Sequence, residues 1–577
     1  MSDARSVLKE MKITQAEHLP LVAAFLGRMG VAAVINTAAP TEMAVDLGSV
    51  VKLMILDTLS GRSPLYRLER FAASVDTELL LGKQVSPGAF NDTTLGRALD
   101  AIYECGAGQL FSQVALAAAA AFPADVDLRH LHFDTTSVSV WGEYAAREQD
   151  GGQDDGGEGG EQALRVTYGL SKDLRPDLKQ FLIQMLCAGR NIPVLGGCAD
   201  GNASDKTVNN AVLTSLSKHM ARHGLAEGAF VYVADAAMVT PGNLAAVGEN
   251  LFITRLPFTY GEAERVVSEA VEEGPWTSGP PPAPSSGARK AAAYRLCEKA
   301  VTIEERLYRA VVVHSGAGDK RRQKKLDRAL TASLAQAGEA LKAAGKVEYF
   351  CRADAEAAAA KLAGDASRYH FCECTVSERL TYARGRPPKN GERKVAKTRY
   401  VIEGRLVERA EEVERLRQAA GCFVLLTNVP HAGEMAHTSC EVLTAYKEQH
   451  GIERNFAFLK DPLIVNDLFL KRPERIEALG FILLASLLTW NLMEHVMRGH
   501  LRRSASTISG WDRKPTRTPT TFMMTTKFKG LLVARIGGEW HFTAPLSGEQ
   551  LQYVQALGLS EKALLRRGGA AVQDYAG

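Results

Sequence analysis

The chain reads as an α/β protein in which a mixed sheet is flanked by helices, and three observations predict that class. Residues 129–140 (RHLHFDTTSVSV) are rich in β-branched side chains, as a strand is. Residues 230–235 (FVYVAD) are apolar almost without interruption, the pattern of a strand buried on both faces. Around them lie stretches with apolar residues at helical spacing, punctuated by Gly and Pro.

Composition narrows the class. At 46% hydrophobic and 23% charged residues in 577, the sequence suits a globular protein of two to four domains. A formal net charge of +3 means that any surface for nucleic acid must be local. The nine cysteines are odd in number and form no framework, which predicts reduced thiols. The first twelve residues contain no apolar signal core. The longest apolar run, 480–493, includes Asn491 and is too short to span a bilayer, so a buried helix is expected. Together these predict a cytoplasmic protein with no membrane partner.

Taken in order, residues 1–125 form a helical N-terminal domain, with helices at 19–29, 50–59, 95–103 and 111–121. Arg62, Arg67 and Arg70 give it a modest basic edge near Tyr66. Residues 126–258 supply the first part of an α/β core. Strand 129–140 carries Asp134 in its middle, where an acid is disfavoured unless it has a partner or a metal. Alternation sets His132, Asp134 and Thr136 on one face. An acidic, Gly-rich loop (148–161) follows, then strands at 164–170 and 178–187 around a Pro/Asp turn, completing an antiparallel meander. Asp200 and Asp205 flank a turn and cap that open a helix to about 222. Asp235 ends the buried strand, where open α/β sheets place their chemistry. A helix from Pro241 and a strand at 251–254 close this part. Residues 259–420 change character and read as an inserted α+β domain, with a Pro-rich loop, strands near 300–314 and a charged helical pair over 319–363. A second part of the core, 421–505, holds strand 423–427 and a helix over 438–459; residues 506–577 form a C-terminal tail with a strand near 531–536.

Chemistry concentrates in three acids. On the helix at 446–460 (YKEQHGIERNFAFLK), offsets of 3, 7 and 14 fall within about 60° of one another, so Tyr446, Gln449, Glu453 and Lys460 share a face. Three antiparallel strands, helix, strand, helix, strand and an acid-bearing helix is the RNase H-like order of elements. In it the first and fourth strands are neighbours, so Asp134 and Asp235 can share a metal. With Glu453 they offer oxygen donors suited to Mg²⁺. Two such ions roughly 3.5–4 Å apart clamp an in-line attack at phosphorus. Cys372-Glu373-Cys374 near His370 is a single pair, against a zinc site. Asp173, Asp177, Asp200 and Asp205 have Gly, Asn or Pro neighbours and read as turn and capping residues. His450 lies one turn before Glu453.

The helix spells Y-x2-Q-x3-E-x6-K, close to the Y-x2-R-x3-E-x6-K signature of a large branch of bacterial insertion-sequence DDE transposases. With HLHFDTTSVSVWGEY, YGLSKDLRPDLKQF, DGNASD, VADAAM, GRSPLYRLERF and NDTTLGRALD, nearly the whole chain resembles that branch's sixteen-thirty-four family. The resemblance implies a metal triad of Asp134, Asp235 and Glu453 holding Mg²⁺, for which Mn²⁺ is able to substitute. It also implies an insertion domain at 259–420, and contacts from Tyr446 and Lys460 to transposon-end DNA. Gln449 departs from the signature Arg; it lacks the charge and the bidentate fork, a role open to Arg454. Members of the branch pass through a DNA hairpin with a flipped base, for which Trp276 is one candidate aromatic. Arg384-Gly385-Arg386-Pro387-Pro388-Lys389 resembles an AT-hook core, which lies extended in a narrow minor groove. The expected activity is cut-and-paste transposition, with terminal inverted repeats and target DNA as substrates and a homodimer in the synaptic complex. The alternative is a catalytically inactive, domesticated DNA-binding derivative.

Overall fold

The computed structural model describes residues 11–61, 67–142, 144, 164–189, 191–222, 224, 226–280, 293–364, 367–385, 391–461 and 470–568. The chain divides into two units. The first comprises Met1–Thr254, Gly433–Met435 and Ala445–Gly577; the second comprises Arg255–Ala432 and Ala436–Thr444.

A mixed sheet organises the first unit. Its strands are β1 (His130–Val140), β2 (Lys179–Ala188), β3 (Ile192–Ala199), β4 (Val231–Val233) and β5 (Leu251–Leu256), hydrogen-bonded in the order β3-β2-β1-β4-β5. The first three are antiparallel, while β4 runs parallel to both β1 and β5. Parallel pairing requires crossovers. Helix α1 (Asp205–Arg222) lies in the chain between β3 and β4, and Pro241–Ala246 between β4 and β5.

Two expectations within the meander change. Residues 164–170 do not form a strand; only Thr167 bridges, to Gln180. Backbone packs against Gly169 so closely that a Cβ there would fall 2.0 Å from Gly201 O, and Leu170 stays 91% exposed. The third strand is instead β3, whose Pro193, Gly196 and Gly197 weaken its strand signature. Such residues are tolerated at a sheet edge and at a bulge, and the register shifts opposite Pro193. Gly196 lets Leu484 approach, since a Cβ would sit 2.9 Å from its Cδ1.

The core of this unit gathers Leu19–Arg28, Leu47–Leu59, Asp92–Glu104 and Ala107–Ala121 with two later helices. These are α3 (His450–Leu459) and α4 (Pro473–Arg503); α2 (Ser439–Glu448) precedes them in the chain, and only its part from Ala445 belongs to the unit. Leu483, Leu484, Leu487 and Leu488 of α4 are each 1% exposed, and each such burial contributes roughly 1.5–3 kcal/mol. The apolar run read as too short to span a bilayer belongs to a 31-residue helix that is long and apolar enough to do so. Its apolar window is 89% buried inside the protein, as in a core helix. The C-terminal region packs on the same core. Leu532–Ile536 pairs with Lys12–Gln15 and with Glu539–Phe542, and Trp540 Nε1 donates to Asp76 at 3.0 Å.

The second unit holds the antiparallel strands β6 (Tyr294–Ile303), β7 (Arg306–Ser315) and β10 (Cys422–Thr427), ordered β10-β7-β6. Helices Gly316–Ala344 and Arg352–Gly364 form the charged helical stretch. A long hairpin, β8 (His370–Tyr382) and β9 (Val395–Glu408), follows them. Arg384 lies exposed at its tip, and the other two AT-hook residues, Arg386 and Lys389, lie outside the described residues.

Candidate active site

The β1–β4 ladder pairs His130 with Val231, Leu131 with Tyr232 and His132 with Val233. Continued by two residues, that register sets Asp134 beside Asp235, on one face of the sheet. Each acid is held by its own backbone. Asp134 accepts from the Thr135 N–H at 2.7 Å. Asp235 caps the short 3₁₀ turn Ala236–Met238 by accepting from the Ala237 N–H at 3.0 Å. Thr254 Oγ1 of β5 donates to the Asp235 carbonyl at 2.7 Å, tying the end of β4 in place.

Both carboxyls hold protons more tightly than usual. Burial is the largest cause for Asp134, with the negative charges of Asp235 and Asp205 adding to it. The Lys172 charge and the Thr135 N–H oppose, and the net result is a pKa pushed up to about 6. Asp235 is raised for the same first reason, with Asp205 adding and the Ala237 N–H and Lys172 opposing. Two half-buried acids side by side without a strong cation between them are costly when both are ionised.

Two further charged residues belong here that sequence reasoning assigned elsewhere or passed over. Asp205 was read as a cap, but Ser204 performs that role, its hydroxyl accepting from the Thr207 N–H at 3.2 Å. The Asp205 carboxylate instead accepts from Thr135 Oγ1 at 2.6 Å and from Lys172 Nζ at 3.1 Å. Lys172 sits in the turn before β2, where nothing in the local sequence signals a site. The one local feature that sets Asp205 apart is that it directly follows the capping Ser204, which leaves its own side chain free to look elsewhere.

Helix α3 packs on the Asp134 face. Asn455 Nδ2 reaches Cys187 Sγ at 3.3 Å and the Asn191 carbonyl at 2.9 Å, and Cys187 is the cross-strand neighbour of His132. Glu453, two residues earlier, does not join the aspartates. It is 69% exposed and faces His450 Nδ1 at 3.2 Å. The helix expected to be continuous across 446–460 is interrupted at Gln449, where bonds tighten to i→i+3: Gln449 N–H to Tyr446 O at 3.3 Å and Ile452 N–H to Gln449 O at 3.0 Å. Tyr446 and Gln449 are half-buried, and Arg454 is exposed. Lys460 is ion-paired with Asp173, while Asp177 and Asp200 pair with Arg175 and Arg165. In the second unit, Trp276 meets His314 edge-on at 6.3 Å beneath Arg295.

Asp134 and Asp235 fit a hard divalent cation: the donors are oxygens only, adjacent, and destabilised by each other's charge. Among the described residues no three His, Cys, Asp or Glu side chains converge closely enough to form a complete metal cage. The third position of the expected triad is therefore open in this arrangement.

A family model described as "Domain of unknown function (DUF4277)" matches residues 11–116, a stretch running from the Lys12–Gln15 strand into the helix Ala107–Ala121. No curated protein matches the chain. What is established is an α/β chain with a large mixed sheet flanked by helices, its N-terminal part similar to a family whose function is not assigned.

Proposed function

We propose that the protein is a DDE transposase that hydrolyses the phosphodiester at the ends of an insertion element and joins the freed 3′ hydroxyl to target DNA. The observation that carries this reading is the placement of Asp134, in the middle of β1, beside Asp235, just past the end of the parallel β4, both half-buried and both with raised proton affinity. The strand order β3-β2-β1-β4-β5, with α3 against the Asp134 face, supports an RNase H-like catalytic core. Mg²⁺, or Mn²⁺ in its place, would be held by Asp134 and Asp235, with Glu453 as the expected third ligand, and would supply activation of the nucleophile and stabilisation of the leaving 3′ oxygen.

The protein's own groups do the rest. Asp134 and Asp235 must both be ionised to bind the cation, so each gives up its proton first. Tyr446, Gln449, Arg454 and Lys460 would contact the DNA backbone from the two helices on either side of the break at Gln449, with the ammonium of Lys460 exchanging Asp173 for a phosphate. Arg384, with Arg386 and Lys389, supplies a second, groove-directed contact. Synapsis of two ends calls for a homodimer on DNA.

The test is Mg²⁺-dependent nicking of a duplex carrying the element's terminal inverted repeats, with the full chain and with Asp235→Ala. Nicking by the wild type and none by the variant supports the reading. A second reading, an inactive DNA-binding derivative, is favoured by the exposed, His450-paired Glu453 and by Gln449 in place of Arg. It predicts end binding with no nicking under any divalent ion.

A further inference from the structure

The turn that precedes β2 fixes a cation on Thr135, the residue after Asp134. Lys172 has three N–H donors, and the structure gives them three oxygens: the Thr135 carbonyl at 2.9 Å, Thr135 Oγ1 at 2.7 Å and Asp205 Oδ1 at 3.1 Å. Its backbone N–H is pinned as well, donating to Ser137 Oγ at 3.0 Å. Thr135 adjoins Asp134 in β1, and Asp205 opens α1, so the ammonium ties strand to helix next to the acids. It is only 32% exposed, and the carboxylate that holds it is 36% exposed. An ammonium bonded in this way does not swing away as a free surface lysine does.

We infer that Lys172 and Asp205 are a paired electrostatic control on divalent-ion binding at Asp134 and Asp235, the ammonium opposing the ion and the carboxylate favouring it. This rests on the metal-binding reading above and deepens it, since neither residue belongs to the expected triad. Thr135 projects to the sheet face opposite Asp134, so the pair acts through space rather than as ligands. Both charges are fixed on Thr135, next to Asp134, and they act on the aspartates in opposite directions, Lys172 lowering their proton affinity and Asp205 raising it. Before an ion arrives, Lys172 offsets part of the negative charge at the site. Once it arrives, the same ammonium weakens its hold.

A positioning clamp and a charge control differ in sign. If the ion pair merely held the loop, breaking it from either side would change ion affinity in the same direction. Charge control predicts opposite directions. The experiment is Mn²⁺ titration of the full-length protein, followed by the loss of free-ion electron paramagnetic resonance signal, with no DNA present. Lys172→Met is expected to bind Mn²⁺ tighter and Asp205→Asn weaker, each by roughly three- to ten-fold at the effective dielectric of a partly exposed site. The double variant is expected to return near the wild type, and Lys172→Arg to match it. Thermal melts of the same samples check that each variant is folded; Lys172→Arg and the double variant keep the comparison if one single variant is not. Shifts in the same direction for both single variants, or no shift in either, overturn the inference while leaving the metal reading intact. Wild-type protein that binds no Mn²⁺ overturns both, and loss of binding in Asp235→Asn is the control that the ion sits at the proposed pair.

Discussion

Two acidic clusters, one in each unit, solve the problem of a buried carboxylate in opposite ways. In the second unit Glu298 of β6 takes a two-pronged contact from Arg309 of β7, with Nε and Nη2 each at 3.0 Å, a hydrogen bond from Ser439 at 2.6 Å and an ion pair with His431 at 2.9 Å. Burial alone would raise its pKa, but the bonds from Arg309 and Ser439 and the charges of Arg309 and His431 outweigh it and hold the carboxyl below its ordinary value. Arg309 also donates to the carbonyls of Val429, Pro430 and His437, so it fixes the loop leading to α2. In the first unit Asp134 and Asp235 have each other, one backbone N–H apiece and a single lysine at some remove. Glu298 has the full set of partners expected of a structural acid. The aspartates lack one, and what they lack is positive charge.

The strongest way to break the comparison is at the aspartates. Asp235→Ala should lower Mg²⁺-dependent nicking by at least about a thousand-fold, equivalent to roughly 4 kcal/mol of transition-state stabilisation, with little change in melting temperature. Arg309→Met should do the reverse. It strands Glu298 without its main partner and should destabilise the second unit by about 3 kcal/mol, seen as an earlier thermal transition, with Mn²⁺ affinity at the aspartates unchanged.

A pH series sharpens the contrast. In the folded, metal-free protein Asp134 keeps its proton up to about 6, whereas unfolded it ionises near 3.8. Between those values the native state binds more protons, so stability falls as pH rises, by up to about 3 kcal/mol across the window. Urea midpoints measured in chelator at pH 4.5 and 7 should show that loss. Asp134→Asn should flatten it, and Mg²⁺ at pH 7 should restore stability. Glu298 contributes the opposite slope: its lowered pKa gives stability that is present above the unfolded value and lost as pH falls toward acid.

Much of the first unit was legible because its signals are local. A β-branched run with an acid in its middle gave β1, and unbroken apolarity ending in Asp235 gave β4. What escaped depends on distant partners. β3 was hidden by Pro193, Gly196 and Gly197, residues that an edge strand tolerates and Leu484 exploits. The β8–β9 hairpin escaped although Pro387-Pro388 and Asn390-Gly391 lie between its strands, because the same stretch reads as an AT-hook core rather than as a turn. Pairing of Leu532–Ile536 with Lys12–Gln15 joins the two ends of the sequence, beyond any window of periodicity. The site was legible to the extent that burial context singled out Asp134 and Asp235. Asp205 and Lys172 were not, because a helix start and a turn look the same whether or not they face an active site. Glu453 was chosen for its place in a motif, and motif spacing carries no information on which way a side chain turns; here it turns to His450.

Smaller effects refine the DNA side. Lys460→Ala should weaken binding to terminal-repeat DNA several-fold and reduce the salt dependence by about one phosphate contact. It should also free Asp173, whose only effect on Mn²⁺ affinity should be slight. Arg384→Ala should weaken binding about two-fold or less, more so on A·T-rich duplexes if the hairpin tip enters a minor groove.

The most direct test is an anomalous-difference map from crystals of the full chain grown with Mn²⁺ at pH 7.5. The account predicts a peak about 2.2 Å from carboxylate oxygens of both Asp134 and Asp235, lost in Asp134→Asn. A map empty there at saturating Mn²⁺, or an ion held by other residues with these two uninvolved, would contradict it.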